Sequence, residues 1–246
     1  MKNELKGKVV AITGASSGIG KATAVELARL GVNVVLGARR TEQLETIVDE
    51  IRQEGGNAEF VKLDVRNKEE LVQLVNKAVD SFGRLDVLIN NAGVSQLSRI
   101  DELDIDGWND MIDINLKAVL YGMAAAIPVF KKQQEGHIVN IISTSGIKIV
   151  PTQGVYAATK NAVRTLAEAF RQESDGTIRI TGISPGFVKT GFADNIKDQQ
   201  MKATIMKNMD QLAISPQAVA NAVIYAISQP KDVEVGDIVI RPAAQN

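Results

Sequence analysis

Short apolar runs rich in β-branched residues alternate along the chain with longer stretches in which apolar positions recur every three to four residues. The runs at 9–13, 32–36, 58–63, 85–89, 137–142, 179–183 and 238–240 predict strands. Largely apolar segments of this length, bounded by glycine or polar residues, suit strands buried on both faces. The stretches at 18–30, 41–54, 68–82, 108–132, 156–173 and 217–228 predict helices. In the first, Ala22, Val25, Leu27 and Leu30 form the apolar side and Gly31 is the stop; Thr41 can cap the second. This alternation predicts an α/β fold, a doubly wound parallel sheet with helices on both faces. No repeat, low-complexity tract or linker divides residues 1–246. Residues 187–210 break the rhythm, with Met201, Met206 and Met209 among polar neighbours. They read either as a substrate loop or lid, or as a surface helix in which Met fills gaps.

Charge and cysteine content narrow the function. With 28 basic and 29 acidic residues the net charge is −1, so there is no electrostatic case for nucleic acid or an anionic membrane as partner. Cysteine is absent, which excludes a disulfide framework, a thiolate nucleophile and a Cys-ligated metal, and fits a cytoplasmic protein. The N-terminal residues 1–8 lack the apolar core of a signal peptide. No apolar run approaches the ~18 residues of a membrane span. The single histidine, His137, precedes the fifth strand and reads as a surface or edge residue; no metal site is expected, and nothing resembles a Ser-His-Asp triad.

Gly14, Ser16, Ser17, Gly18, Ile19 and Gly20 lie in a turn between the first strand and first helix. Glycine allows a ligand close to the backbone, and a helix N-terminus offers free N–H groups and a positive dipole end to a pyrophosphate. The glycines could equally close an ordinary strand–helix turn. The second strand ends in Gly37-Ala38-Arg39-Arg40, where a carboxylate would accept from the ribose 2′-hydroxyl of NAD. Two guanidiniums suit a 2′-phosphate instead, so NADP(H) is expected unless Arg39 and Arg40 are plain surface charges.

Tyr156 and Lys160 stand at i and i+4, on one helix face. A phenol titrates near ~10, and a nearby ammonium lowers that value, making Tyr156 a usable general acid or base. Ser143 follows the fifth strand, where a hydroxyl could bond a substrate oxygen as charge develops on it; Thr144 and Ser145 are rivals or turn formers. Asn115, a mediocre helix former inside a helical pattern, has either a polar task or a merely accommodated place.

Thr13-Gly14-x-x-x-Gly18-x-Gly20, Asp64-Val65, Asn90-Asn91-Ala92-Gly93, Asn115, Ser143, Tyr156-x-x-x-Lys160 and Pro185-Gly186 occur in the order and spacing of the short-chain dehydrogenase/reductases, which the chain resembles over its length. The resemblance implies a single-domain Rossmann-type sheet, strand order 3-2-1-4-5-6-7, and a homotetramer or homodimer. It implies that Asp64 and Val65 meet the adenine and that Asn91 and Gly93 line the cofactor cleft. Lys160 would hold the nicotinamide ribose, and Asn115 a water linking Lys160 to solvent. Pro185, Gly186 and Val188 would abut the carboxamide, and Thr190 would lie near the phosphates. Two departures stand out: Ser17 replaces the basic residue many NADP-preferring members carry in the glycine turn, and residues 236–242 lack the Asp-Gly-Gly ending. The C-terminus is similar to that of the NADP-dependent hydroxy-acid and small-alcohol dehydrogenases.

The expected function is hydride transfer between NADP(H) and a carbonyl or secondary alcohol of a small molecule. Substrate contacts are expected from 94–100, 147–153 and the segment after Gly186, with Arg99 or Lys148 available to a carboxylate. The alternatives are an NAD-linked member of the same family and a catalytically idle dinucleotide sensor or scaffold.

Overall fold

A computed structural model describes residues 2–191, 196 and 199–245. A short helix α1 (Lys2–Leu5) precedes β1 (Val9–Thr13), α2 (Gly18–Arg29), β2 (Asn33–Ala38), α3 (Thr41–Gln53), β3 (Ala58–Lys62), α4 (Lys68–Phe82) and β4 (Val87–Asn90). There follow α5 (Ile105–Ile112), a π-helical turn (Asp113–Lys117), α6 (Ala118–Gln133), β5 (Gly136–Ile141), α7 (Gly154–Glu173), β6 (Ile178–Pro185), α8 (Gln199–Leu212), α9 (Pro216–Ile227) and β7 (Asp237–Ile240).

All seven strands are parallel, in the order β3-β2-β1-β4-β5-β6-β7. Alternate side chains of one strand enter opposite layers, as strand geometry requires. Val10 and Ile12 join the core under α2, α3 and α9, whereas Val9 and Ala11 join the core under α4, α6 and α7. Both faces are therefore dry, which is why the strands read as continuous apolar runs rather than as alternation. Truncating a fully buried Leu36 or Leu88 to alanine costs about 2–5 kcal/mol.

Strand ends move where pairing outruns local pattern. The sequence stops the sixth strand at 183, yet β6 runs on to Pro185 because Pro185 pairs with Ile240 of β7. The expected helix at 108–132 begins earlier, at Ile105, and is broken by the π-helical turn. The apolar side of α2 is also rotated: Thr23, Ala24, Leu27 and Ala28 are buried, and Ala22 is only half-buried.

Two further expectations are corrected. His137 is not a surface residue; it lies within β5, between β4 and β6, 1% exposed. The path Ile105–Gln133 does reach the length and hydropathy of a membrane-crossing helix. Its Ile114, Val119, Met123, Ala126 and Phe130 are nevertheless buried in the core beneath α4, the pattern of an internal helix of an α/β domain.

The strand order reverses between β1 and β4, so the crevice for a ligand opens at their carboxyl ends. Of the segment 187–210, residues 192–195 and 197–198 lie outside the described residues; the rest includes the helix α8.

Candidate active site

The glycine turn is fastened from beneath by β4. Thr13 Oγ1 accepts from the amides of Asn91 and Ala92 at 3.0 and 3.1 Å, and Asn91 Nδ2 donates to the carbonyls of Thr13 and Gly14 at 2.9 and 3.1 Å. Gly14 has φ +66°, and a Cβ there would stand 2.8 Å from Ala92 Cα, so no other residue fits. The turn delivers Gly18, Ile19 and Gly20 as the first residues of α2. That helix start carries neither a side-chain cap nor an acidic residue in its first turn, leaving its N–H groups and positive dipole end to the crevice.

Arg40, just past the tip of β2, reaches back to this turn. Its Nε and Nη2 donate to Ser16 Oγ at 3.2 and 3.0 Å, and Nη2 donates to Ser17 Oγ at 2.7 Å. Arg39 makes no such bond, but it is near enough to help hold the Asp64 carboxyl below its usual range. The larger cause there is Arg66, whose guanidinium clasps Asp64 at 2.6 Å. Val65 beside it is buried. The tip of β2 therefore gathers guanidiniums and hydroxyls, and the Asp64 carboxylate near Arg39 is already paired with Arg66.

The chemical cluster lies across the crevice. Ser143 follows β5, and Tyr156 and Lys160 project from the first two turns of α7, both nearly enclosed. Ser143 shares a hydrogen bond with the Tyr156 hydroxyl. Ser143 Oγ accepts from the amide of Ser145 at 3.1 Å, which leaves its hydrogen and a second lone pair for Tyr156 and the cleft. Ser145 is not an alternative to Ser143, because its hydroxyl donates to Gln153 Oε1 at 2.7 Å, tying the loop after β5 to the start of α7.

Lys160 does not do what its spacing predicts. Its Nζ donates to the carbonyl of Ile141 at 3.0 Å and stands 5.9 Å from the centre of the Tyr156 ring. Burial pushes the Tyr156 phenol up to about 12, against the opposing bond from Ser143, and pushes the Lys160 ammonium down to about 8. In the chain alone, desolvation outweighs the help that the Ser143 hydrogen bond gives the phenolate.

Asn115 lies in the π-helical turn, fully buried. Its Oδ1 accepts from the Val94 amide at 2.9 Å, and its Nδ2 donates to the Val94 carbonyl at 2.9 Å and Thr159 Oγ1 at 3.2 Å. Both amide hydrogens are thus spent on the chain, and the side chain keeps only a second lone pair for a water. Gly93 sits between Asn115 and Lys160: a Cβ there would be 3.4 Å from Asn115 Oδ1 and from Lys160 Nζ.

Part of this set meets in one cavity of about 530 Å³, the size of a small-molecule site, which Gly14, Arg39, Arg40, Asp64, Val65 and Asn115 do not line. Ile19, Asn91, Gly93, Ser143, Tyr156, Lys160, Pro185, Gly186, Val188 and Thr190 all line it. Of the substrate segments expected from sequence, 147–153 contributes Ile147, Lys148, Val150 and Gln153, whereas 94–100 contributes Leu97. Arg99 does not reach the cavity wall; it is clamped on Asp101 at 2.7 Å in solvent, and Gln96 donates to Asp110. Sequence reasoning missed Thr13 as the fastener, and missed Arg241 and Gln245, whose places depend on β7 pairing with β6. Among the described residues no cluster of His, Asp and Glu could hold a metal.

A family model described as short chain dehydrogenase matches residues 8–201. An uncharacterized oxidoreductase of Staphylococcus saprophyticus is 43% identical over 250 residues, covering 99% of each chain. An uncharacterized oxidoreductase of Listeria monocytogenes is 44% identical over 244 residues, covering 98% of each. Among solved structures, an alcohol dehydrogenase of the archaeon Thermococcus sibiricus, complexed with 5-hydroxy-NADP, is 32% identical with a TM-score of 0.87, over 97% of this chain and 98% of that one. The closed form of a serine dehydrogenase complexed with NADP+ is 30% identical with a TM-score of 0.89, over 97% and 96%. A Burkholderia phymatum member in complex with NAD is 28% identical with a TM-score of 0.88, over 96% and 89%. With sequence, strand order and the ordered motifs in agreement, the chain belongs to the short-chain dehydrogenase/reductase family of oxidoreductases.

Proposed function

We propose that this oxidoreductase uses NADP(H) to interconvert a carbonyl and a secondary or primary alcohol on a small molecule. One observation carries the reading: the Ser143–Tyr156 hydroxyl pair faces the same cavity as the open start of α2. The residues fit a dinucleotide. Gly14, Gly18 and Gly20 put no side chain at three places of the turn, and the uncapped N–H groups around Ser16, Ser17 and Ile19 suit a pyrophosphate. The Arg40 guanidinium on the Ser16 and Ser17 hydroxyls, with Arg39 beside it, suits a 2′-phosphate. Asp64 and Val65 would flank the adenine, Asn91 and Gly93 the ribose side of the cleft, and Pro185, Gly186, Val188 and Thr190 the nicotinamide half.

When bound, the nicotinamide supplies the hydride. The chain's own groups do the rest. Ser143 and Tyr156 orient the carbonyl by hydrogen bonds to its oxygen, where negative charge develops. Tyr156, held protonated at neutral pH by its burial, gives its proton to that oxygen in reduction. Lys160 would hold the ribose hydroxyls. Asn115 positions the Gly93–Val94 backbone against α7, and with it the wall of the cleft. Phe187, Ile205 and Met209 line the cavity from the 187–210 segment, in keeping with a substrate loop. Assembly into a particle of two or four chains belongs to the same reading.

The test follows NADPH absorbance with purified protein across aldehydes, ketones, diketones and keto acids, with NADH in parallel. NADPH oxidation that falls by about 10²–10⁴ in Tyr156→Phe, with NADPH binding retained, supports the mechanism. Wild-type turnover by that variant removes it. Because one similar structure carries NAD, a higher kcat/KM with NADH would establish the NAD-linked alternative. Tight NADPH binding with no turnover of any carbonyl would favour a sensor.

A further inference from the structure

The described residues that line the cavity include three cations, Lys148, Lys160 and Arg241, and no carboxylate. Lys160 donates to the carbonyl of Ile141 and, in the reading above, holds the ribose of the cofactor. Arg241 is different: every other arginine of the chain except Arg39 bonds a neighbouring side chain or carbonyl. Arg39 stands where a cofactor 2′-phosphate would sit. Arg241 lines the cavity beside Gly186, with no partner among the described residues.

Its position is built. Arg241 directly follows β7, whose Ile240 pairs with Pro185. A Cβ on Gly186 would lie 2.8 Å from Arg241 Cβ, so the glycine makes the room in which the arginine starts. The tail then turns back, with the Gln245 amide donating to Pro242 O at 3.0 Å and Gln245 Oε1 accepting from the Phe187 amide at 2.9 Å. This fixes the tail across the edge of the site.

The phosphates of the cofactor do not account for this charge. Strands lie about 4.8 Å apart, so β7, four places from β1, is displaced about 19 Å from the pyrophosphate turn. It is two places, or about 10 Å, from β5 and the Ser143 that follows it. An oxidised nicotinamide ring is itself positive and would not recruit a guanidinium.

We propose that Arg241 is a specificity-determining residue that binds an anionic group of the substrate, so that the preferred substrates are small carbonyl compounds carrying a carboxylate. This rests on the carbonyl-reducing reading above. Arginine suits the task because its planar fork matches a carboxylate in bidentate fashion. The sequence had offered this role to Arg99 or Lys148: Arg99 is occupied by Asp101, whereas Lys148 lines the cavity and serves as the comparison cation in the test. In the step itself the carbonyl carbon gains a hydride from NADPH, which is oxidised to NADP+. The carbonyl oxygen gains a proton from Tyr156, and the carboxylate is unchanged.

The probes are 4-oxobutanoate and its uncharged methyl ester, with wild type, Arg241→Gln, Arg241→Lys and Lys148→Gln. Wild type is expected to favour the acid by tenfold or more in kcat/KM. Arg241→Gln should abolish that preference, mainly through KM for the acid; Arg241→Lys should restore part of it, and Lys148→Gln should keep it. Equal use of acid and ester by wild type overturns the proposal, as does a preference that survives in Arg241→Gln or is lost in Lys148→Gln. A change of particle mass in Arg241→Gln would assign the residue to an interface between copies, and also overturns it. Titrating the NADP+-loaded enzyme, which has no hydride to give, with both probes, followed by emission of Trp108 beside the Leu97–Tyr156 cluster, reads affinity without turnover. Acid-selective binding with no turnover of either probe would keep the anion site and remove the reductase reading. Equal affinity, or none, removes the anion site.

Discussion

Lys160 Nζ lies 3.0 Å from the carbonyl oxygen of Ile141, the last residue of β5, so the ammonium is anchored to the sheet rather than to the phenol beside it. Tyr156 is consequently governed by its burial, which pushes it up to about 12. A proton held that firmly favours reduction near neutrality and leaves little phenolate for the reverse reaction. Alcohol oxidation should therefore rise with about unit slope in log kcat/KM from pH 7 to 9, while carbonyl reduction stays nearly flat. Parallel pH–rate profiles in the two directions check this; a flat oxidation limb contradicts it.

The burial of Lys160 gives it a stability signature. Burial pushes its folded value down to about 8 from 10.5, so between those pH values the unfolded chain binds more protons than the folded one. Stability contributed by this site should accordingly rise with pH from about 8 to 10, by at most about 1.4 kcal/mol per pH unit. Above pH 10 the buried Tyr156, whose value is raised, acts in the opposite sense. Urea unfolding of wild type and Lys160→Met across this range measures the difference, which should grow in favour of wild type as pH increases.

Arg40 is the side chain on which nucleotide choice should turn. Arg40→Ala removes the guanidinium from Ser16 and Ser17, and is expected to weaken NADPH binding about 10- to 100-fold while changing NADH binding little. Fluorescence titration with both nucleotides decides it. Equal losses for the two would place the effect in the shape of the turn instead.

Thr13→Val should uncouple the turn from β4. The hydroxyl accepts from two amides in a buried place, and each unpaired donor costs about 1–3 kcal/mol. Melting temperature and NADPH affinity should fall together in Thr13→Val and recover in Thr13→Ser, which keeps the oxygen. A valine variant as stable as wild type would show the bonds to be incidental.

His137 should stay neutral well into acid. Thr181 Oγ1 donates to Val235 O at 2.7 Å, so it accepts from His137 Nε2–H at 2.8 Å, and Nδ1 is left bare without a partner. Burial is the largest cause pushing the imidazole down to about 3, ahead of the nearby Arg179 and Lys8. The unfolded chain takes up a proton below about 6.5 and the folded one does not, so stability is lost as pH falls from 6.5 towards 3. As the only histidine of the chain, its ring resonance can be followed by NMR without mutation. A titration near 6.5 in the folded protein would contradict this account.

Much of this protein is written locally. The seven apolar runs and the helices between them are visible in sequence because a strand buried on both faces needs continuous apolar side chains, and a helix on its face needs a 3.6-residue period. The ordered motifs fix the family for a related reason: Gly14 and Ser143 sit at strand ends, and Tyr156 and Lys160 one turn apart on a helix, positions that local geometry alone dictates. What the ammonium of Lys160 touches was not legible, since Ile141 lies on another element, nor was the burial that sets the Tyr156 proton. His137 and Arg241 were misread or missed for the same cause. Whether a polar side chain is enclosed, paired or left free depends on which distant strands flank it, and only the packed sheet decides that.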